Sequence, residues 1–332
     1  MFAIASGPPI ESTFIKPQIQ LPMKTSRRSF LQKGTLATAL MATGASLPNL
    51  LSAGEPFIRP GKPRLRLALA GYSFRTQFLW SRGNPQTPKD KSRPMDLFKF
   101  IDYCADHNCE GAELTAYYIP PDADKPYYRN LKRHAHLRGV SICGTAIGND
   151  FSLAKGIKRD YQIEAAKHGI DQAAMMGAPH IRFFAGTGKG FAHGRQRIEN
   201  SIEALKICSD YAGDRGIFLG VENHGDISVE QLLEIINKVD SPWIGINLDT
   251  GNFFSDSPYD DIEQCALYAV NVQVKIKMQD AKRNKYPADL GRIAGILKRA
   301  NYQGFVVLEF EESDPFNEIP DWLEKLSTAI NS

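Results

Sequence analysis

GIFLGVENHG (residues 216–225), WIGINLDTGN (243–252), AVNVQVKIK (269–277) and GFVVLEFEE (304–312) decide how this chain is read. Each is an apolar run suited to one buried strand. Each carries an oxygen-bearing side chain at or near its end: Glu222, Asp249, Gln273 and Glu309. A stretch of helical character separates each run from the next. Parallel strands closed into a barrel gather such ends at one mouth, where oxygen donors make a site for a hard divalent cation.

The same alternation extends back toward the N-terminus. Strands are expected in 65–74 (LRLALAGYSF), 109–118 (CEGAELTAYY), 140–149 (VSICGTAIGN) and 179–186 (PHIRFFAG). Apolar residues at helical spacing predict a helix opened by Pro94, one stopped by Gly139, and others over 159–176 and 195–215. Later helices are expected from the cap Ser228 to Val239, and over 259–269, 289–300 and 320–330. Eight strand–helix units predict an α/β fold, a single (β/α)8 TIM barrel over residues 64–332. A doubly wound sheet is the rival, but no glycine-rich fingerprint follows an early strand. GTGKG (186–190) lacks the phosphate-loop spacing and reads as a flexible loop over the mouth. About 270 residues follow position 63, and one such barrel typically takes about 250.

Charge is nearly balanced, with 40 basic and 37 acidic residues, which gives no nucleic-acid footprint. The five cysteines, Cys104, Cys109, Cys143, Cys208 and Cys265, are odd in number and lack zinc-ribbon or CxxC spacing. They read as buried thiols.

SRRSFLQK (26–33) resembles a twin-arginine export signal. A weakly apolar stretch (34–51) and the small residues Ser52, Ala53 and Gly54 follow it. Residues 23–53 are read as the signal segment, 1–22 as an upstream extension and 54–63 as a linker. A chance Arg-Arg pair before an amphipathic helix is the alternative. The export reading makes the twin-arginine machinery a partner and the destination extracytoplasmic. Phosphorylated sugars are scarce there, so a free sugar or derivative is the expected substrate. A homo-oligomer is left open.

Side chains two apart on a strand share a face. Glu222 therefore points into the barrel when Val221 points out. Asp249 enters with Asn247, Glu309 with Val307, and Gln273 shares a face with Lys275 and Lys277. Buried carboxylates are costly unless paired or metal-bound. An ionic network with Lys275, Arg182 or backbone donors is the alternative to a metal.

VENHG (Glu222, His224), LDTGNF (Asp249, Asn252), VQVKIK (Gln273, Lys275) and LEFEE (Glu309), with GTAIGNDF and the Glu113 strand, give the chain a resemblance to the xylose isomerase-like barrel superfamily. The likeness is to its sugar-phosphate isomerase/epimerase group and spans residues 65–326. It implies one divalent metal held from strands five, six and eight by Glu222, Asp249 and Glu309. Gln273 stands where the family's strand-seven histidine is expected, and Asn252 where many relatives carry histidine. So oxygen-rich a site favours Mn2+ or Mg2+ over Zn2+. The resemblance further implies deprotonation beside a carbonyl, with an enediolate stabilised by the metal and Glu222 and Glu309 moving the proton.

Substrate contacts are expected from His224, Lys275, Arg182, Glu113, Tyr72 and Asn252. A salt bridge to Glu113 is the other reading of Arg182. Tyr117 and Phe151 are wall or core aromatics. The leading function is a metal-dependent isomerase or epimerase of a free sugar or derivative. A lyase or hydratase acting on a keto-glycoside, or a sugar-binding barrel without catalysis, are the alternatives. A DNA-repair endonuclease is disfavoured by the few histidines near strand ends.

Overall fold

The computed structural model describes residues 55–187, 191 and 193–332. The expected extension and signal segment, and residues 188–190 of the GTGKG loop, lie outside the described residues. Eight parallel strands close a barrel: β1 Arg64–Ala70, β2 Gly111–Thr115, β3 Ser141–Ala146, β4 His180–Phe184, β5 Phe218–Glu222, β6 Ile244–Asp249, β7 Ala269–Val274 and β8 Gln303–Leu308. The order is sequential, and β1 closes onto β8 with Leu67 opposite Val306 and Ala68 opposite Val307. The helices are α1 Leu97–Asp106, α2 Lys125–Leu137, α3 Ile157–Met176, α4 Arg195–Gly213, α5 Val229–Val239, α6 Pro258–Ala266, α7 Leu290–Arg299 and α8 Pro315–Asn331. The fold is the expected TIM barrel.

Caps set the helix starts. Asp96, not Pro94, opens α1, because its carboxylate accepts from the Lys99 amide at 2.8 Å. Ser228 and Gln231 form the reciprocal box that opens α5. Pro315 takes the first position of α8, with Asp314 as cap, so Pro320 lies inside the helix rather than at its start. The segment read as a linker lies against the barrel: the Phe57 amide donates to Leu267 O, and the Phe57 ring meets Phe218 edge-on.

The large apolar core lies between strands and helices. Among the described residues, Ala68, Ala70, Cys143 and Val307 form a second, small apolar cluster, with Phe305 against it. Polar residues are buried as well, including Glu113, His180, Arg182, Asn247, Asn271 and Gln273. Short strands Phe254–Ser255, Lys277–Asp280 and Lys285–Pro287 form a small sheet above β6 and β7. It ties together the loops that follow Asp249 and Lys275. Among the described residues, no helix is long and apolar enough to cross a membrane.

Candidate active site

Glu222 ends β5 and is 6% exposed. Its Oε2 lies 2.9 Å from Arg182 Nε of the neighbouring β4, an ion pair whose N–H is not aligned as a hydrogen bond. Its Oε1 lies 3.0 Å from His224 Nδ1 and accepts from Asn252 Nδ2 at 3.1 Å. Burial raises the Glu222 carboxyl pKa, but Arg182 and His224 outweigh it and hold the group down at about 2. Arg182 also donates to Ile147 O at 2.9 Å.

Asp249 ends β6 and accepts at Oδ1 from the Gly251 amide at 2.9 Å and at Oδ2 from Asn252 Nδ2 at 2.7 Å. One amide group of Asn252 thus bridges two carboxylates. Its orientation follows from charge, since the amide oxygen turned toward two anions would be repelled. Asn223 fastens the ends of β5 and β6, donating to Asp249 O and accepting from its amide, both at 2.8 Å.

Lys275 follows β7 and is buried against acids. Its Nζ lies 2.9 Å from Glu311 Oε1, 3.3 Å from Asp249 Oδ2 and 3.6 Å from Glu309 Oε2. The ammonium pKa is held well above its usual range: burial opposes the charge, but Asp249, Glu309 and Glu311 more than offset it. One ammonium shared among three acids compensates each only in part. Burial therefore pushes both Asp249 and Glu309 up to about 7, despite Lys275. Tyr72, in the turn after β1, lies within the field of Glu311 and Glu309.

Gln273 and Glu113 do not join this cluster through hydrogen bonds. Gln273 Nε2 donates to Glu113 Oε1 at 2.7 Å, and Gln273 Oε1 accepts from Asn247 Nδ2 at 2.7 Å. Asn271 Nδ2 closes the circuit, donating at 2.8 Å to Glu113 Oε2 and to Asn247 Oδ1. Both ends of the Gln273 amide are thus spent inside the barrel. Glu113 accepts twice from amides, Arg182 pairs with Glu222, and the Arg182–Glu113 bridge that was the alternative reading of Arg182 is not the one formed. Burial and the Glu309 charge raise the Glu113 carboxyl to about 7.

Sequence reasoning singled out Glu222, His224, Asp249, Asn252, Lys275, Glu309, Arg182 and Tyr72, and the structure brings them to one end of the barrel. It pointed Asn247 inward without giving it a role, and it missed Glu311, Asn223 and Asn271. Alternation held the signal for three of these: Glu311 lies two residues beyond Glu309, Asn247 two before Asp249 and Asn271 two before Gln273. Phe151 is fully buried against Phe183 as core, while the Tyr117 hydroxyl reaches Arg182 at 3.5 Å. His224 is half exposed and packs on Phe184, with ring centroids 4.3 Å apart. Beside it, Gly225, Asp226, Phe253, Phe254 and Arg283 line a recess of about 420 Å3.

As arranged, these donors do not fit a divalent metal. Glu222 is taken by Arg182, Asp249 and Glu309 face the Lys275 ammonium, and Asn252 presents N–H rather than oxygen to the carboxylates. Among the described residues no group of three or more His, Cys, Asp or Glu side chains is placed to hold a metal ion.

Solved structures share the architecture. A D-psicose 3-epimerase from Clostridium cellulolyticum H10, crystallised with D-tagatose, superposes with a TM-score of 0.59 and 15% identity over 80% of this chain and 97% of that one. A probable 3-DHS dehydratase of petrobactin synthesis from Bacillus anthracis gives 0.60 and 16% over 80% and 99%. A 3-keto-D-glucoside 4-epimerase from E. coli gives 0.55 and 16% over 71% and 95%. At such identities the likeness is one of fold. No curated protein matches the chain significantly. The profile described as xylose isomerase-like TIM barrel matches residues 101–326, and with the closed eight-stranded barrel it places the chain in the xylose isomerase-like TIM barrel family.

Proposed function

We propose that this protein is an enzyme that moves a proton on the carbon beside a carbonyl of a carbohydrate, as an isomerase or epimerase of a free sugar or sugar derivative. One observation carries the reading: Glu222 and Glu309 lie in one buried cluster at the strand ends, Glu222 paired closely with Arg182 and Glu309 only 3.6 Å from an ammonium it shares with two other acids. Glu309, raised to about 7, suits proton transfer near neutrality. Glu222, held at about 2 by its partners, remains a fixed carboxylate that can orient substrate hydroxyls. As a carboxylate, Glu309 takes the proton, the electron pair of the C–H bond moves into the carbonyl, and an enediolate forms. Returned by Glu309 to the neighbouring carbon, with the hydroxyl proton passing between the two oxygens, the proton completes an isomerisation; epimerisation takes a proton delivered to the same carbon from the opposite face. The sugar epimerases among the structural neighbours agree with this reading.

The same asymmetry favours a second reading. A single titrating glutamate serves chemistry on one face of the substrate, which elimination of a β-substituent from a keto-glycoside also requires. A dehydratase among the neighbours is in line with it. The motif at 26–33 supports export by the twin-arginine route, and with it a free rather than phosphorylated sugar. Incubation with a panel of ketoses and keto-glycosides in D2O tests the proposal. Solvent deuterium at carbon is expected with at least one of them. Binding of a sugar without any exchange would make the barrel a binding protein instead.

A further inference from the structure

We infer that the Lys275 ammonium stands where a divalent cation would otherwise sit, so that this barrel polarises its substrate with a built-in cation and needs no metal. The inference rests on the proton-transfer reading above and adds the identity of the electrophile.

Three independent features point to it. The first is position. Asp249 and Glu309, two of the three carboxylates expected to grip a metal, both face Lys275 Nζ, at 3.3 and 3.6 Å. An ammonium has three donors. Here the close partner is Glu311 at 2.9 Å, and Asp249 is the next acceptor. The 3.6 Å gap to Glu309 is too long for a hydrogen bond, which leaves a donor for a substrate oxygen.

The second feature is the seat built for the lysine. The stem of Lys275 lies over Gly251, where a Cβ would come within 2.7 Å of Lys275 Cδ and 2.9 Å of its Cβ. No side chain larger than glycine fits at 251 while the stem keeps this path. Below it, the Lys275 amide donates to Thr250 Oγ1 at 3.1 Å. The side chain is 13% exposed, so this is no solvated surface lysine.

The third feature is that the remaining metal donors are occupied. Gln273 has both amide ends bonded, to Glu113 and Asn247, and would have to abandon both to reach a cation. Glu222 answers to Arg182. Four carboxylates, Glu222, Asp249, Glu309 and Glu311, face the two cations Arg182 and Lys275, so what stands against a divalent ion here is the place Lys275 Nζ takes beside Asp249 and Glu309, where the ion would meet like charge at close range.

In the reaction the step balances without a redox partner. The C–H electron pair becomes the C=C bond of the enediolate while the carbonyl π pair moves onto its oxygen, Lys275 donates a hydrogen bond to that oxygen and stays protonated, and the proton resides on Glu309 until it is returned. Two measurements on the full chain test this. Mn2+ titration followed by electron paramagnetic resonance is expected to show no stoichiometric site in the chelator-treated wild type. The Lys275→Met/Gln273→His double variant should bind at least about tenfold more tightly. In D2O, exchange by chelator-treated protein should stay within about twofold of the untreated rate. Lys275→Met should lose at least about 100-fold, the scale for removing one oxyanion donor. Exchange that is abolished by chelator and restored by Mn2+ or Mg2+ would overturn the inference and leave the proton-transfer reading standing. Tight Mn2+ binding by the wild type would overturn it without any substrate. No exchange with any sugar, and no Mn2+ site, would sink the proton-transfer reading while the seat of Lys275 in place of a metal stood.

Discussion

Two polar clusters lie inside one barrel, and they are built on opposite terms. In the ring of Glu113, Asn247, Asn271 and Gln273, four side chains exchange four hydrogen bonds of 2.7–2.8 Å and leave little unspent. In the cluster at the strand ends, three buried carboxylates share an ammonium and a guanidinium, and Asp249 and Glu309 remain under-compensated. A satisfied network rigidifies a core. A charged, partly compensated one is costly and is kept where chemistry needs it. The contrast assigns support to the ring and reactivity to the strand ends.

The comparison breaks most visibly at Glu309. Glu309→Gln should lower turnover by about 10²–10⁴, the usual worth of a positioned acid–base, with the urea midpoint nearly unchanged. Equal loss of stability and activity would make Glu309 structural. Next comes Arg182→Met, which leaves Glu222 buried without its cation. A stability loss of about 3–5 kcal/mol is expected by urea unfolding. A loss under 1 kcal/mol would mean that the ion pair is solvated in solution.

The ring should fail more mildly and without a chemical signature. Gln273→Ala leaves Glu113 and Asn247 each short of a partner, for about 1–3 kcal/mol in stability. Activity per folded molecule should hold within a few-fold. A collapse of activity at unchanged stability would put Gln273 in the reaction.

The smallest effect is one of pH. Glu113 has its folded pKa raised to about 7 from an ordinary value near 4.5, mainly by burial. Its folded state therefore holds more proton than the unfolded chain through that window. Its contribution to stability is full below the lower value and is lost as pH rises through about 7. The slope is at most about 1.4 kcal/mol per pH unit for one proton. Glu222 runs the other way: held at about 2, it stabilises above its ordinary value and loses that contribution as pH falls. Glu113→Gln should flatten the fall between about pH 5 and 7, read from urea midpoints, and an unchanged slope would assign it to Asp249 or Glu309.

The barrel was legible because its strands are continuous apolar runs that end on polar residues, a pattern that fixes both strand and direction. Alternation also told which side chains point inward: Glu222, Asp249, Gln273, Lys275 and Glu309 all do. It could not tell which inward groups would meet. Arg182 had carboxylates on β5 and β2 to choose between, and the choice of Glu222 over Glu113 goes with two amides of β7, Asn271 and Gln273, both claiming Glu113. Gln273 shared a face with Lys275, yet its reach toward Glu113, 160 residues away in sequence, is a property of the closed cylinder. Helix starts shifted for a local reason: Asp96 and Asp314 outcompete the nearby prolines as start signals because each satisfies an otherwise free amide.

The most direct test is crystallographic. Crystals of the chelator-treated protein soaked in Mn2+ should show no anomalous peak between Asp249 and Glu309, with Lys275 Nζ in density between those carboxylates. An anomalous peak ligated by Glu222, Asp249 and Glu309, with Lys275 swung aside, would contradict the account.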